Sequence, residues 1–359
     1  MRANIIEFSE KAQKDLIPAW KDFVKHYRAE NFSKKGTYDT SHSLEEKDEL
    51  INKAIFSEVE QITGIDRSKM SEGAYISNPQ YQWATFAVIN KLIDSVLPAV
   101  VREDFPFANV VSIGYGDTAE FTVKSADLFN VVKNGNSRRH VEAQKQFTGT
   151  KTLVPENHTI TTEVDHYRIL AGKDSATDYA IKAMLSFESE LAIDMMSILT
   201  SQFDSLTANF KENAFSETAF KKLAQRVSAA NGGARTVAVG TELGLGTILP
   251  TNDYLKMGIG AEYDKVGYLP AFKNVPLVAI AQKIDWSSED YEFALPDNYI
   301  YFVSPQSQKL FQIVLEGDTL AITDNQFANA NLTQKTSLHK RWAVGLITNA
   351  KYGMMKVTV

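Results

Sequence analysis

From Tyr115 to Leu170 the chain is polar and arginine-bearing, with short alternating runs and no apolar pattern able to close a core. Directly behind it, from Asp174 to Thr207, comes a strongly periodic helical segment. Phe121 and Val123 alternate with polar neighbours, Asn134-Gly135-Asn136 fits a type I′ hairpin turn, and His158–Asp165 is a threonine-rich strand. A two-stranded ribbon of this kind is marginal alone. The juxtaposition predicts a long ribbon supported by something outside its own subunit, followed by a stiff helical rod.

Composition narrows the class. The chain has 359 residues, enough to bury a large core, with 44% hydrophobic and 23% charged residues, so a globular fold is expected. Net charge is -6 and the sequence pI about 5.6, which argues against a dedicated nucleic-acid binder. There is no cysteine, which excludes disulfides, thiolate nucleophiles and cysteine-ligated metals. Met1–Glu7 has no apolar core of a signal peptide, and no run of about eighteen apolar residues occurs. The expectation is a protein made in the cytoplasm, with no membrane partner.

Local patterns place the remaining elements. Ile5, Phe8, Leu16, Trp20, Phe23 and Tyr27 are loosely helical, with Pro18 expected to end or kink that helix. Glu45–Ile62 is amphipathic, and Asn78-Pro79 has the form of a helix start running to Pro98. Asp174 or Ser175 caps the long helix. Its apolar face is Tyr179, Ala183, Phe187, Leu191, Met195 and Ile198, and its expected length is roughly 45–50 Å at about 1.5 Å per residue. Ser216 caps a shorter helix stopped by Asn231-Gly232-Gly233. Strands are expected at Thr236–Gly240, Val275–Ala281, Asn298–Val303, Leu310–Leu315, Leu320–Thr323, Arg341–Ala350 and Tyr352–Val359, with Glu316-Gly317-Asp318 as a turn.

Motifs for chemistry are weak. Gly240–Gly246 lacks the GxGxxG order and the Walker lysine and reads as a structural loop. The six histidines show no metal-ligand spacing, and Asp285, Glu289, Asp290 and Glu292 beside Trp286 read as a solvated acidic loop. No catalytic residue, metal or cofactor is assigned. Arg138, Arg139, Lys145, Lys151 and Arg168 make the ribbon basic, and Asp178, Glu188, Glu190 and Asp194 on the long helix are candidate recipients on an adjacent subunit. Lys335, His339, Lys340, Arg341 and Lys351 form a second basic group able to neutralise nucleic-acid backbone.

The order of features resembles, over essentially the whole chain, the major capsid proteins of tailed bacteriophages with the HK97-like fold. The segments that carry it are Gly116–Leu170, Asp174–Thr207, Arg235–Thr241, Val275–Ile280, Leu295–Ser304, Gln308–Asp318 and Trp342–Lys356. The resemblance implies an α+β fold with an N-terminal arm and helix (1–60), the first part of a peripheral domain (61–114) and an extended β-hairpin loop (115–171). It continues with a spine helix and peripheral domain (172–232), a mixed axial domain (233–340) and C-terminal strands (341–359). It further implies a non-enzymatic homo-oligomer of hexameric and pentameric capsomers. These would form an icosahedral shell around double-stranded DNA, assembled in the host bacterial cytoplasm with scaffolding, portal and decoration proteins as partners. The alternatives are an encapsulin-like compartment shell enclosing cargo enzymes, another phage structural subunit such as a tube or portal, and, in a different class, a monomeric enzyme using the Asp285–Glu292 acids.

Overall fold

Helices form first along the chain, and local signals explain most of them. The computed structural model describes residues 9, 12–32, 37–71, 74, 78–105, 107–124, 144, 148–164, 168–169, 174–251, 263, 266–286, 289–305, 309–323 and 334–359. A π-turn over Ala12–Leu16 runs into α1 (Ile17–Phe32). Pro18 lies just past the junction where the π-helical segment ends and α1 begins, so the helical run changes type there and continues beyond it. α2 (Leu44–Thr63) carries a full capping box between Ser43 and Glu46 and stops at Gly64 in the left-handed region.

α3 (Pro79–Asp104) is capped by Asn78, whose side chain accepts from the amides of Gln80 and Tyr81. It runs past Pro98, against expectation, because its apolar face stays buried on both sides of the proline. This is one helix long and apolar enough to cross a membrane by length and composition, and 67% of its most apolar window is buried inside the protein. α4 (Ala176–Ser201) is capped by Ser175 and ends short of Thr207 in a series of turns. Its 26 residues span about 39 Å at 1.5 Å per residue.

The strands follow as β1 (Ala108–Ile113), β2 (Ala119–Lys124), β3 (Thr148–Leu153), β4 (Glu156–Val164) and β5 (Lys211–Glu212). After α5 (Glu217–Ala230) come β6 (Val237–Thr241), the short α6 (Glu242–Gly246), β7 (Ala271–Phe272), β8 (Val275–Ile280) and β9 (Tyr299–Val303). The last are β10 (Phe311–Thr323), β11 (Gln334–Leu346) and β12 (Gly353–Lys356). They make a four-stranded sheet β1-β10-β11-β4, a six-stranded sheet β5-β12-β9-β6-β8-β7 and a two-stranded ribbon β2-β3.

Two departures from the sequence reading follow. β4 leaves the ribbon and pairs antiparallel with β11 over its whole length. Phe311–Thr323 is one strand, not two: Glu316-Gly317-Asp318 is a bulge where the β10–β11 register shifts, with Gly317 at φ +57°. A side chain at Gly317 would collide with the Tyr115 ring.

α1 to α4 and the inner face of the four-stranded sheet share one core. Trp20, Ile55, Leu92, Phe187 and Trp342 are fully or almost fully buried in it, and the Trp20 indole N–H donates to the Leu92 carbonyl at 3.0 Å. The helices over 12–32 and 44–63 thus contribute side chains to this core. The six-stranded sheet is covered on both faces at its central strands. Met354, Tyr301 and Val239 face the first core, and Met355, Ile300, Phe302 and Ala238 face a second one under α5. That double burial accounts for the near-continuous apolar run of β9, whereas β8 buries Val275 and Leu277 and leaves Val278 exposed. Gly353 lets α5 sit against β12, since a Cβ there would meet Leu223 at 2.8 Å.

The bulge is fastened to α3 by a buried ion pair. Asp94 accepts from Lys340 Nζ at 2.7 Å and from the Thr319 amide and hydroxyl at 2.6 and 2.7 Å, while Lys340 also donates to the Gly317 carbonyl at 2.7 Å. Removing one member of such a pair strands the other charge, at a cost of about 3–5 kcal/mol, whereas replacing both with apolar groups is often nearly neutral. Asp94→Ala is expected to lower the unfolding free energy by about that amount, and Asp94→Leu with Lys340→Met to recover much of it. Urea unfolding of the two variants checks both.

Candidate inter-subunit surfaces

The β2–β3 ribbon is attached to the body at its root and nowhere else among the described residues. Six residue pairs, Ala119–Leu153 to Lys124–Thr148, form its ladder. Thr148 to Thr152 of β3 are all exposed, so no core supports it. Its root is clamped by one ion pair on the bulge. Glu316, 2% exposed, accepts from the Gly116 amide and from Arg341 at 2.8 Å each, and Arg341 donates to the Pro155 carbonyl at 2.9 Å. Tyr115 completes the root through a hydrogen bond to the Asp318 carbonyl. Burial and the negative charges of Asp318 and Asp94 push the Tyr115 phenol up to about 12. Both ends of the ribbon thus meet at a single carboxylate–guanidinium pair.

The candidate contact residues part ways. Arg138, Arg139 and Lys145 lie outside the described residues. Lys151 is exposed on β3 opposite Phe121. Arg168 is held within its own chain by a two-pronged pair with Asp174 at 2.9 and 3.0 Å, which steadies the entry to α4 and pulls the Asp174 carboxyl below its usual range. Asp178 sits in the first turn of α4 and pairs with Lys182 at 2.7 Å. Glu190 is exposed, and Asp194 accepts from the Trp342 indole N–H at 2.8 Å.

Glu188 is a correction. It was expected on the surface, but it is 2% exposed and turned inward, about 200° around the helix from Glu190. It pairs with Lys283 at 3.0 Å and lies 3.9 Å from Arg28, which in turn holds Asp104 at 2.6 Å. The group joins α1, α3 and α4 to the segment after β8. Burial, opposed by Lys283 and reinforced by Asp104, raises the Glu188 carboxyl above its ordinary 4.5.

Glu190 borders a cleft of about 680 Å³ between β4, α4 and a small hairpin whose described residues are 283–286 and 289–294. His158 stacks on Trp342 in its floor at 3.7 Å. The hairpin carries the acidic loop noted in the sequence and three strongly exposed aromatics, Trp286, Tyr291 and Phe293. Among the described residues no cluster of His, Asp and Glu is arranged to hold a metal. The second basic group is also partly internal: Lys340 is buried against Asp94 and Arg341 is spent on Glu316, which leaves that face far less basic than the sequence suggested. Gly240–Gly246 is the end of β6 running into α6.

With this geometry in hand, the family assignment is direct. The model of the family described as "SPbeta prophage-derived putative capsid protein YonB" matches residues 23–356. The chain belongs to the YonB family of capsid proteins. The resemblance to tailed-phage major capsid proteins read from the sequence and the YonB match agree. No curated protein sequence matches. Among solved structures, the chain is similar to the mature capsid of bacteriophage PhiM1, at 10% identity and TM-score 0.48, over 70% of this chain and 86% of that one. It is similar to the capsid of the native GTA particle at 13% identity and TM-score 0.48, over 73% and 90%. The procapsid of satellite phage P4 gives 9% identity and TM-score 0.43, over 74% and 91%. The assignment of this YonB-family chain rests on the match over 23–356.

Two outcomes are expected. Glu316→Ala should speed hydrogen exchange in residues 116–124 and 148–155 by about tenfold, equivalent to about 1.4 kcal/mol of local opening, and leave α4 unchanged. For Glu188, a folded pKa raised above 4.5 means its contribution to stability is complete below pH 4.5 and is lost as pH rises through the folded value. Urea unfolding should therefore show the stability of the wild type falling relative to Glu188→Gln as pH rises from about 4 to 8.

Proposed function

We propose that this protein is the major subunit of an HK97-like, icosahedral phage head. Its copies associate as hexamers and pentamers around double-stranded DNA, and the role is structural rather than enzymatic. The YonB-family match over 23–356 carries the reading. The fold supports it in three ways: a ribbon with no core of its own, a long capped helix as a stiff member, and a separate six-stranded layer with its own core.

In this reading 115–171, excluding β4, is the extended loop, α4 the spine helix, and 233–340 the axial region that closes rings through head-to-tail contacts. Exposed Lys151, together with Arg138, Arg139 and Lys145, meets Glu190, Asp194 and Asp178 of the adjacent copy. Charge complementarity there sets register more than affinity. Glu188 takes no part, and Arg168 contributes only if its Asp174 pair exchanges. Scaffolding, portal and decoration proteins are the expected partners, the virion head is the site of action, and assembly takes place in the host bacterial cytoplasm.

Negative-stain electron microscopy of the protein expressed alone, then with its neighbouring genes, tests the reading. Closed shells with six- and five-fold capsomers are expected. Small non-assembling particles under both conditions would overturn it.

A further inference from the structure

Among the described residues the four-stranded sheet ends in β4, whose one neighbour in the sheet is β11. In an antiparallel pair alternate residues turn their N–H and C=O groups away from the partner, so this nine-residue strand presents a row of backbone donors and acceptors along its outer edge. Edges of this kind are commonly blunted by proline, lysine, a bulge or a covering element. β4 contains no proline and no lysine, and its register with β11 runs without a shift. The opposite edge, β1, is shorter, and Arg102 donates to its Val110 carbonyl at 3.1 Å.

The sequence of β4 is also self-complementary. Antiparallel pairing of two copies centred on Ile160 sets Thr159 opposite Thr161, His158 opposite Thr162, Asn157 opposite Glu163 and Glu156 opposite Val164. No like charges face each other, and the two Glu163 carboxylates stand about 20 Å apart at about 3.3 Å per residue. Facing threonines are favourable cross-strand pairs. Thr159 and Thr161 are exposed, and each is already oriented by a bond to β11, Thr159 to His339 at 2.8 Å and Thr161 to Ser337 at 3.0 Å.

We propose that β4 pairs with β4 of a second copy about a local two-fold axis, so that two four-stranded sheets become one continuous sheet between subunits. The contact is isologous, unlike the head-to-tail contacts that close a ring. It therefore joins copies across rings. It rests on the shell-forming reading above and adds the edge used and its register.

The chain has no cysteine, so a cross-linking test has no background. Opposed Cα atoms in such a ladder lie about 4.5–5.5 Å apart, within the range of about 4.4–6.8 Å that a disulfide spans. In particles built from a Thr159→Cys, Thr161→Cys double variant, mild oxidation should convert more than half of the subunits to covalent dimers. Thr159→Cys alone should give few. Intact particles whose thiols stay free would overturn the proposal. So would coupling of Thr161→Cys to a cysteine placed at Thr150 of the ribbon, which would assign the edge to a neighbour's β3. Wild-type particles are scored first by microscopy: failure to assemble counts against the shell reading, and free thiols in intact particles count against the β4 contact.

Discussion

The bulge in β10 is the constraint on which the rest of the architecture depends. Within a few residues of Gly317 lie two charge pairs of opposite orientation. Lys340 and Asp94 tie the strand inward to α3, and Arg341 and Glu316 tie it outward to both ends of the ribbon. Lys340 and Arg341 are adjacent in β11, where successive side chains point to opposite faces, so one dipeptide serves the core on one side and the projecting ribbon on the other. A buried pair adds little net stability, because desolvation offsets its attraction. What it does supply is geometry. With both partners fixed, the direction in which the ribbon leaves the body is set by a salt bridge, not by the packing of side chains it does not have.

Around this point the protein divides its tasks between layers. The helices and the four-stranded sheet form a body held by one large core. The six-stranded sheet buries its central strands on both faces and has a second core under α5. Arg28, Asp104, Glu188 and Lys283 join the two where α4 passes the segment after β8. For a YonB-family capsid protein this arrangement leaves its strand edges, its ribbon and its acidic aromatic hairpin for contacts beyond the subunit, while the rods and sheets remain internally satisfied.

How much of this could be read from the sequence follows the range of the interactions. Ser43, Asn78, Ser175 and Ser216 act within three residues of themselves, and the capped helices are legible for that reason. Pro18 marks the change from π- to α-helical bonding, which its residue type signals, while the continuation of the run on both sides of it is set by burial in the core. Glu316-Gly317-Asp318 has the composition of a turn, and only its pairing with β11 makes it a bulge. β4 alternates like a ribbon strand, and nothing local records that its partner lies beyond residue 334. Glu188 was placed on the surface by its charge. Its inward turn depends on Lys283 and Arg28, far away in the chain, and the Asp94–Lys340 pair is equally silent in one dimension. Of the ribbon cations among the described residues, Lys151 is exposed and Arg168 pairs with Asp174 of its own chain, a difference that the sequence does not record.

Pro98 lies four residues after Asp94 in α3. A proline has no N–H to return to the carbonyl four residues back, so the backbone of Asp94 loses its helical partner at the same residue whose side chain holds Thr319 and Lys340. α3 therefore stays one helix but lacks one backbone hydrogen bond at the turn whose Asp94 side chain is fastened to the sheet. The missing backbone bond and the Asp94 ties to Thr319 and Lys340 fall on one turn of α3, so there the sheet replaces part of the hold that the helix backbone gives up.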